Sequence, residues 1–133
     1  MKHTVTLWAP VVLYAAVIFY ASAQPDVPLP PGLTDKPTHS IAYTVLGVLF
    51  VRALAGGLPA RLTLSTALLG VALTTAYGLT DEIHQMFVPG RYADWRDLVA
   101  DAIGGATGAA VCWLWGIISP APSKTAGPPR HGL

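Results

Sequence analysis

Residues 78–97 read GLTDEIHQMFVPGRYADWRD. The stretch places Asp81, Glu82, Arg91, Asp94, Arg96 and Asp97 close together in a chain that is only 11% charged. Apolar sequence lies on either side of it. A polar helix end, a turn at Val88-Pro89-Gly90 and a polar helix start are therefore expected, with the charges held at one boundary of an apolar bundle.

The whole chain supports that reading. It has 133 residues, 53% of them hydrophobic, and a mean hydropathy of +0.51. A soluble domain usually carries about a quarter charged residues, so this composition points to lipid. The net charge of +1 argues against a nucleic-acid partner, which would want a basic face. Cys112 is the single cysteine, so no internal disulfide forms, and its apolar surroundings suit an inert buried thiol.

A bilayer core of about 30 Å takes about 20 apolar residues in a helix. Four stretches qualify: 4–23, 36–54, 62–87 and 97–118. Backbone groups in lipid must be bonded within their own segment, so each is expected to be a helix. The fold class expected is all-α, an integral membrane bundle of four transmembrane helices over residues 1–119. Proline-rich QPDVPLPPGLTD (24–35), AGGLPAR (55–61) and VPGRYADW (88–95) separate the spans. The tail from 120 to 133 has little to bury and is expected to be disordered. Lys2, an apolar run and Ala21-Ser22-Ala23 also fit a cleavable signal peptide. The run is long enough to span, however, and a small bundle wants it retained.

Lys and Arg favour cytoplasmic loops. With the N-terminus inside, Lys2, Arg52, Arg61, Lys124 and Arg130 lie inside and Lys36, Arg91 and Arg96 outside. Both termini are therefore expected in the cytoplasm of a plasma-membrane protein. Every acid in the chain then falls at or near the outer side.

Three span ends carry polar side chains to that level. Lys36, His39, Tyr43 and Gly47 are spaced three, four and four, and share one helix face. Asp81 and Glu82 are adjacent and must point about 100° apart, with Gln85 within reach of either. Asp97 and Asp101 lie one turn apart. Gly104 and Gly108 continue nearly the same face in a small-xxx-small pattern that lets helices approach. Ionisable groups in spans usually face the bundle interior. A small polar pocket walled by spans two, three and four is expected.

TDKPTHSIAYTVLG (34–47) and TDEIHQMFVPGRYADWRDLVADAIGGATG (80–108) resemble the VanZ-like family of small membrane proteins. The family pattern has a D-K-x-x-H-x-x-x-Y block and a D-E-x-x-Q-x-F-x-P-x-R block, followed by an aspartate and a glycine-bearing helix. This chain matches them with Asp35, Lys36, His39, Tyr43, Asp81, Glu82, Gln85, Phe87, Pro89, Arg91, Asp97 and Gly104. It departs at Asp101, where the family commonly has Asn. The resemblance implies a multi-span bundle linked to the cell envelope and to resistance against teicoplanin-type glycopeptides. It implies no particular reaction.

Two function classes follow. One is an envelope or resistance factor whose pocket holds a lipid-linked cell-wall precursor or a lipid headgroup. The other is a membrane hydrolase or transferase acting on such a ligand. Glu82, His39 and Asp81 are the candidates for proton transfer. Lys36, Tyr43, Gln85, Arg91, Asp97 and Asp101 are the candidates for ligand binding, Arg91 because a guanidinium suits phosphate. Each has a plainer reading as a structural ion pair or loop anchor. His39 with Asp81, Glu82 and Asp97 offers metal-type donors, but no tight ligand motif occurs, so no metal is expected. No cofactor motif appears, and the serines lack a nucleophile motif. His84 is expected to face solvent. Tyr92, Trp95, Trp113 and Trp115 are read as interfacial belt residues. Membrane lipids are the expected partners, and the sequence does not set the oligomeric state.

Overall fold

A computed structural model of the chain describes residues 2–25, 36–58 and 62–119. The described residues form four α-helices: α1 Lys2–Ser22, α2 Lys36–Leu54, α3 Leu64–Gln85 and α4 Trp95–Ile118. The bounds lie within two residues of the expected spans. The tail expected to be disordered falls outside the described residues.

Local chemistry sets the helix starts. Thr63 caps α3, its hydroxyl accepting from the Thr66 N–H at 3.2 Å. Asp94 caps α4, its carboxylate accepting from the Arg96 N–H at 2.9 Å. Between α3 and α4 the turn uses Gly90 at φ 83°, a conformation that a side chain with a Cβ resists.

α1, α2 and α4 are long and apolar enough to cross a membrane. α3 is equally long at 22 residues but misses the same measure of apolarity. It carries Thr66, Thr74, Thr75 and Thr80 along its length and Asp81, Glu82, His84 and Gln85 at its end. Its position accounts for that composition. α3 packs against both α2 and α4, whereas α1 lies against α2 and, more lightly, α3. The threonines tolerate burial by turning back on their own helix, as Thr74 does to the Gly70 carbonyl at 2.8 Å. Large apolar side chains such as Leu13, Val17, Ile41, Leu68 and Ile103 point outward, as lipid-facing residues must.

Glycines hold the bundle close. α2 and α4 make the most extensive contact of any pair. A Cβ on Gly104 would stand 2.7 Å from the Ser40 carbonyl, and one on Gly108 would stand 2.6 Å from that of Thr44. The two backbones therefore touch, as the small-xxx-small spacing predicts. α3 joins through a second row. Gly105 meets the side chain of Thr74, Gly78 meets Asp101 and Gly70 meets Val51. Apolar packing divides into two clusters. One joins α1 and α2 around Leu7, Val11, Ile18, Tyr43 and Leu46. The other joins α2, α3 and α4 around Val51, Ala109 and Cys112. As expected, Cys112 is a buried free thiol.

Candidate functional site

The up-and-down path brings the end of α1, the start of α2, the end of α3 and the start of α4 to one level. The polar residues meet there. Asp81, on the last turns of α3, is 3% exposed. Its Oδ2 accepts from Ser22 Oγ of α1 at 2.7 Å, from Tyr43 Oη of α2 at 3.3 Å and from Gln85 Nε2 at 3.2 Å. Three helices thus converge on one carboxylate oxygen. Its other oxygen, Oδ1, is buried and receives no hydrogen bond.

Asp101 lies one helix away. It is 1% exposed, with Oδ2 turned toward Gly78 of α3. Its Oδ1 stands 3.5 Å from His39 Nδ1 of α2, at the outer limit of hydrogen bonding. Neither oxygen has a hydrogen-bond partner. Glu82 points away from Asp81, as adjacent helical residues must. Its Oε2 accepts from the backbone N–H of Asp94 at 2.8 Å, which ties the end of α3 to the cap of α4. Oε1 is buried without a partner. Asp97 is buried in the first turn of α4.

Burying ionised carboxylates costs several kcal/mol each unless charge and hydrogen bonds compensate. The acids also repel one another: Glu82 feels the charges of Asp97 and Asp101, and Asp101 those of Asp81 and Asp97. His39 is the described basic side chain facing Asp101. Buried carboxylate oxygens without a hydrogen bond remain, among the described residues, on Asp81, Glu82 and Asp101. Among the described residues, no three of His, Cys, Asp and Glu converge as ligands for one metal ion.

Of the residues predicted from sequence, the structure gathers His39, Tyr43, Asp81, Glu82, Gln85, Asp97 and Asp101. Arg91 sits on the hairpin loop, half-buried, and its Nε donates to the Gln24 carbonyl at 3.2 Å, so the loop is tied to the chain just past α1. The side chain of Lys36 lies outside the described residues. Tyr92, Trp95, Trp113 and Trp115 are all exposed, the first two at the polar end and the others near the far end of α4.

Two expectations change. His84 does not face solvent: it is half-buried and stacks on Phe19 of α1, ring centroids 3.9 Å apart, with its Nδ1 buried. The end of α1 crosses the last turn of α3, and His84, three residues after Asp81, shares that side. The polar cluster also draws on a fourth helix, α1. Ser22 of α1 is 6% exposed and bonded to Asp81, although no motif marks it. The signal available was its position, a small polar residue one span-length from the start of α1.

Residues 7–116 match the VanZ/LLP1 family. The chain belongs to that family. The match runs from within α1 to near the end of α4 and takes in the whole polar cluster, so the resemblance carried by two short blocks extends to the bundle itself. Comparison with curated proteins and with solved structures gave no match. Within this VanZ/LLP1 protein, His39 faces a carboxylate, that of Asp101.

Proposed function

We propose that this VanZ/LLP1 protein is a plasma-membrane factor of the cell envelope that supports glycopeptide tolerance by holding the headgroup of a lipid or lipid-linked cell-wall precursor. Both termini lie in the cytoplasm and the polar cluster lies at the outer boundary. One observation carries the reading. Asp81, Glu82 and Asp101 are buried at one end of the bundle with four carboxylate oxygens lacking a hydrogen bond. Scaffold ion pairs would present their oxygens to partners. Buried ion pairs are in any case poor devices for stability.

Native mass spectrometry of the purified protein tests the binding claim, with a retained lipid or precursor as the expected result. Glu82→Gln tests the role of the cluster. The amide still accepts from the Asp94 N–H and lowers the repulsion with Asp97 and Asp101, so the protein should stay folded while glycopeptide tolerance is lost. Full tolerance in a folded variant overturns the role. Topology is tested separately with a cysteine at Ala93, which should react with an impermeant thiol reagent in intact cells. Labelling only after lysis would put the cluster on the cytoplasmic side.

His39 and Asp101 favour a second reading, a hydrolase or transferase acting on the same ligand. A carboxylate drawn from 3.5 Å to bonding distance of Nδ1 would fix the imidazole tautomer, the usual way to orient a general base. Turnover of a bound headgroup that is lost in His39→Gln would support it.

A further inference from the structure

We infer that the hairpin between α3 and α4 lies in the headgroup layer of the membrane, and that the buried acids sit below that layer. The inference goes beyond the ligand reading above and does not depend on which side of the membrane the polar end faces. Residues 86–95 carry Met86, Phe87, Tyr92 and Trp95, which are 63%, 80%, 86% and 71% exposed. Large apolar side chains gathered in that way on a surface mark contact with something other than water. The loop is also held in place. Glu82 Oε2 accepts from the Asp94 N–H at 2.8 Å, Arg91 Nε donates to the Gln24 carbonyl at 3.2 Å, and the Arg91 N–H donates to the Val88 carbonyl at 3.1 Å. These bonds fix the hairpin backbone with its apolar side chains outward.

Two features point to lipid as the cover. The first is continuity. Leu79, Ile83 and Met86 are exposed at spacings of four and three along α3 and past its end, and Trp95, Val99 and Ile103 at spacings of four along α4. Each stripe runs from the outward wall of a helix into the hairpin, so the surface that faces lipid along the helices continues onto the loop. The second is chemistry. Tyr and Trp join an apolar ring to a polar handle, which suits the boundary between tails and water. Arg96 is exposed beside Trp95, its guanidinium carbon 5.8 Å from the ring centroid, and its neighbour Asp94 caps α4. A guanidinium at that level meets lipid phosphate. Depth follows from helix geometry. With a rise of 1.5 Å per residue, Asp101 stands roughly 9 Å beyond Trp95 along α4, and Asp81 roughly 6 Å before the end of α3 at Gln85. A headgroup layer is about 5–7 Å thick on each side of the bilayer. With the hairpin in that layer, the acids stand at the edge of the hydrocarbon core.

The test reads the depth of Trp95 in the full chain, with Trp8→Phe, Trp113→Phe and Trp115→Phe leaving it as the single tryptophan. The protein is placed in phosphatidylcholine vesicles whose acyl chains are brominated either near the headgroup or near the chain end, and aqueous iodide is the opposing quencher. Shallow bromines should remove most of the Trp95 emission and deep bromines little of it. Iodide should quench it several-fold less than it quenches free N-acetyltryptophanamide. Iodide quenching equal to that of the free amide, with no effect of bromine, would place the hairpin in water and overturn the inference. Stronger quenching by deep bromines would overturn the headgroup level. Shielding from both quenchers would mean that protein, a second copy of the chain or another partner, covers the loop in place of lipid, and would overturn it too. A nitroxide on Phe87→Cys, in a Cys112→Ala chain that keeps every tryptophan, decides the matter if the first variant does not fold. Collisions with oxygen should exceed those with a water-soluble nickel chelate, and the reverse order overturns the inference. The headgroup layer is hydrated, so exposed Ala93 stays within reach of water-soluble reagents there.

Discussion

α3 and α4 pack against each other, yet the two ends of the pair are built differently. At the polar end Gly78 lies against Asp101, and midway along the pair Gly105 lies against Thr74, so the helices touch there and buried acids fill the space between them at the polar end. At the other end they leave a cavity of about 420 Å³ lined by Leu62, Thr63, Leu64, Ala67, Ala109, Ala110 and Trp113. The loose end is apolar, although apolar packing is the easier kind to achieve. The tight end holds the groups that cost most to bury. In lipid, apolar side chains gain little from one another because the tails are equally apolar, so close approach comes from small residues and polar contacts. Tightness here follows glycine, which sits beside Asp101 at Gly78 and beside apolar or threonine contacts at Gly70, Gly105 and Gly108.

The largest effect that would break this comparison is Gly104→Leu. A Cβ there already stands within 3.0 Å of Ser40, Tyr43 and Thr44, and backbone atoms cannot yield. Destabilisation of about 3 kcal/mol or more is expected, read as lost thermal stability in detergent. Ala106→Leu, on the exposed face of the same helix, is the control and should be nearly silent. If Gly104→Leu were silent too, α2 and α4 would not pack as described.

Ser22→Ala comes next. It removes the shortest of three hydrogen bonds to Asp81 Oδ2 and detaches the end of α1 from the site. A loss of about 1–3 kcal/mol is expected, because a buried carboxylate loses a donor. Exposed Ser65→Ala should cost less than half as much, although it contacts Thr63 at the cap of α3. Equal losses would mean that α1 is not part of the polar wall.

His84→Leu sharpens the comparison at the rim. The ring stacks on Phe19, and its buried Nδ1 makes no hydrogen bond, so an apolar replacement keeps the α1–α3 contact without leaving a polar partner behind. Stability within about 1 kcal/mol of the parent is expected. A larger loss would show that the imidazole nitrogen is bonded in the membrane.

The smallest effect belongs to the loose end. Ala110→Leu adds apolar volume beside an open cavity and should change stability by no more than about 0.5 kcal/mol. A collapse similar to that of Gly104→Leu would show that both ends are packed alike.

The sequence alone determined that the chain is an all-helical membrane protein with its polar residues at one level. Apolar run length and punctuation are local properties, so helix bounds were legible to within two residues. The glycine face of α4 was legible too, because Gly104 and Gly108 fall one turn apart. A second row was present but unread: Gly70, Thr74 and Gly78 follow the same four-residue spacing, and they form the face of α3 that meets Val51 and α4. Tertiary structure alone decided which partners meet. Asp81 could have paired with any nearby donor. The crossing of α1 over the end of α3 gave it Ser22, and the same crossing covered His84 with Phe19. The close approach of α2, α3 and α4 set Asp101 between Gly78 and His39 and left its oxygens unbonded. Spacing along one helix fixes which face a residue occupies. Which helix covers that face, and at what distance, depends on contacts between segments far apart in the chain.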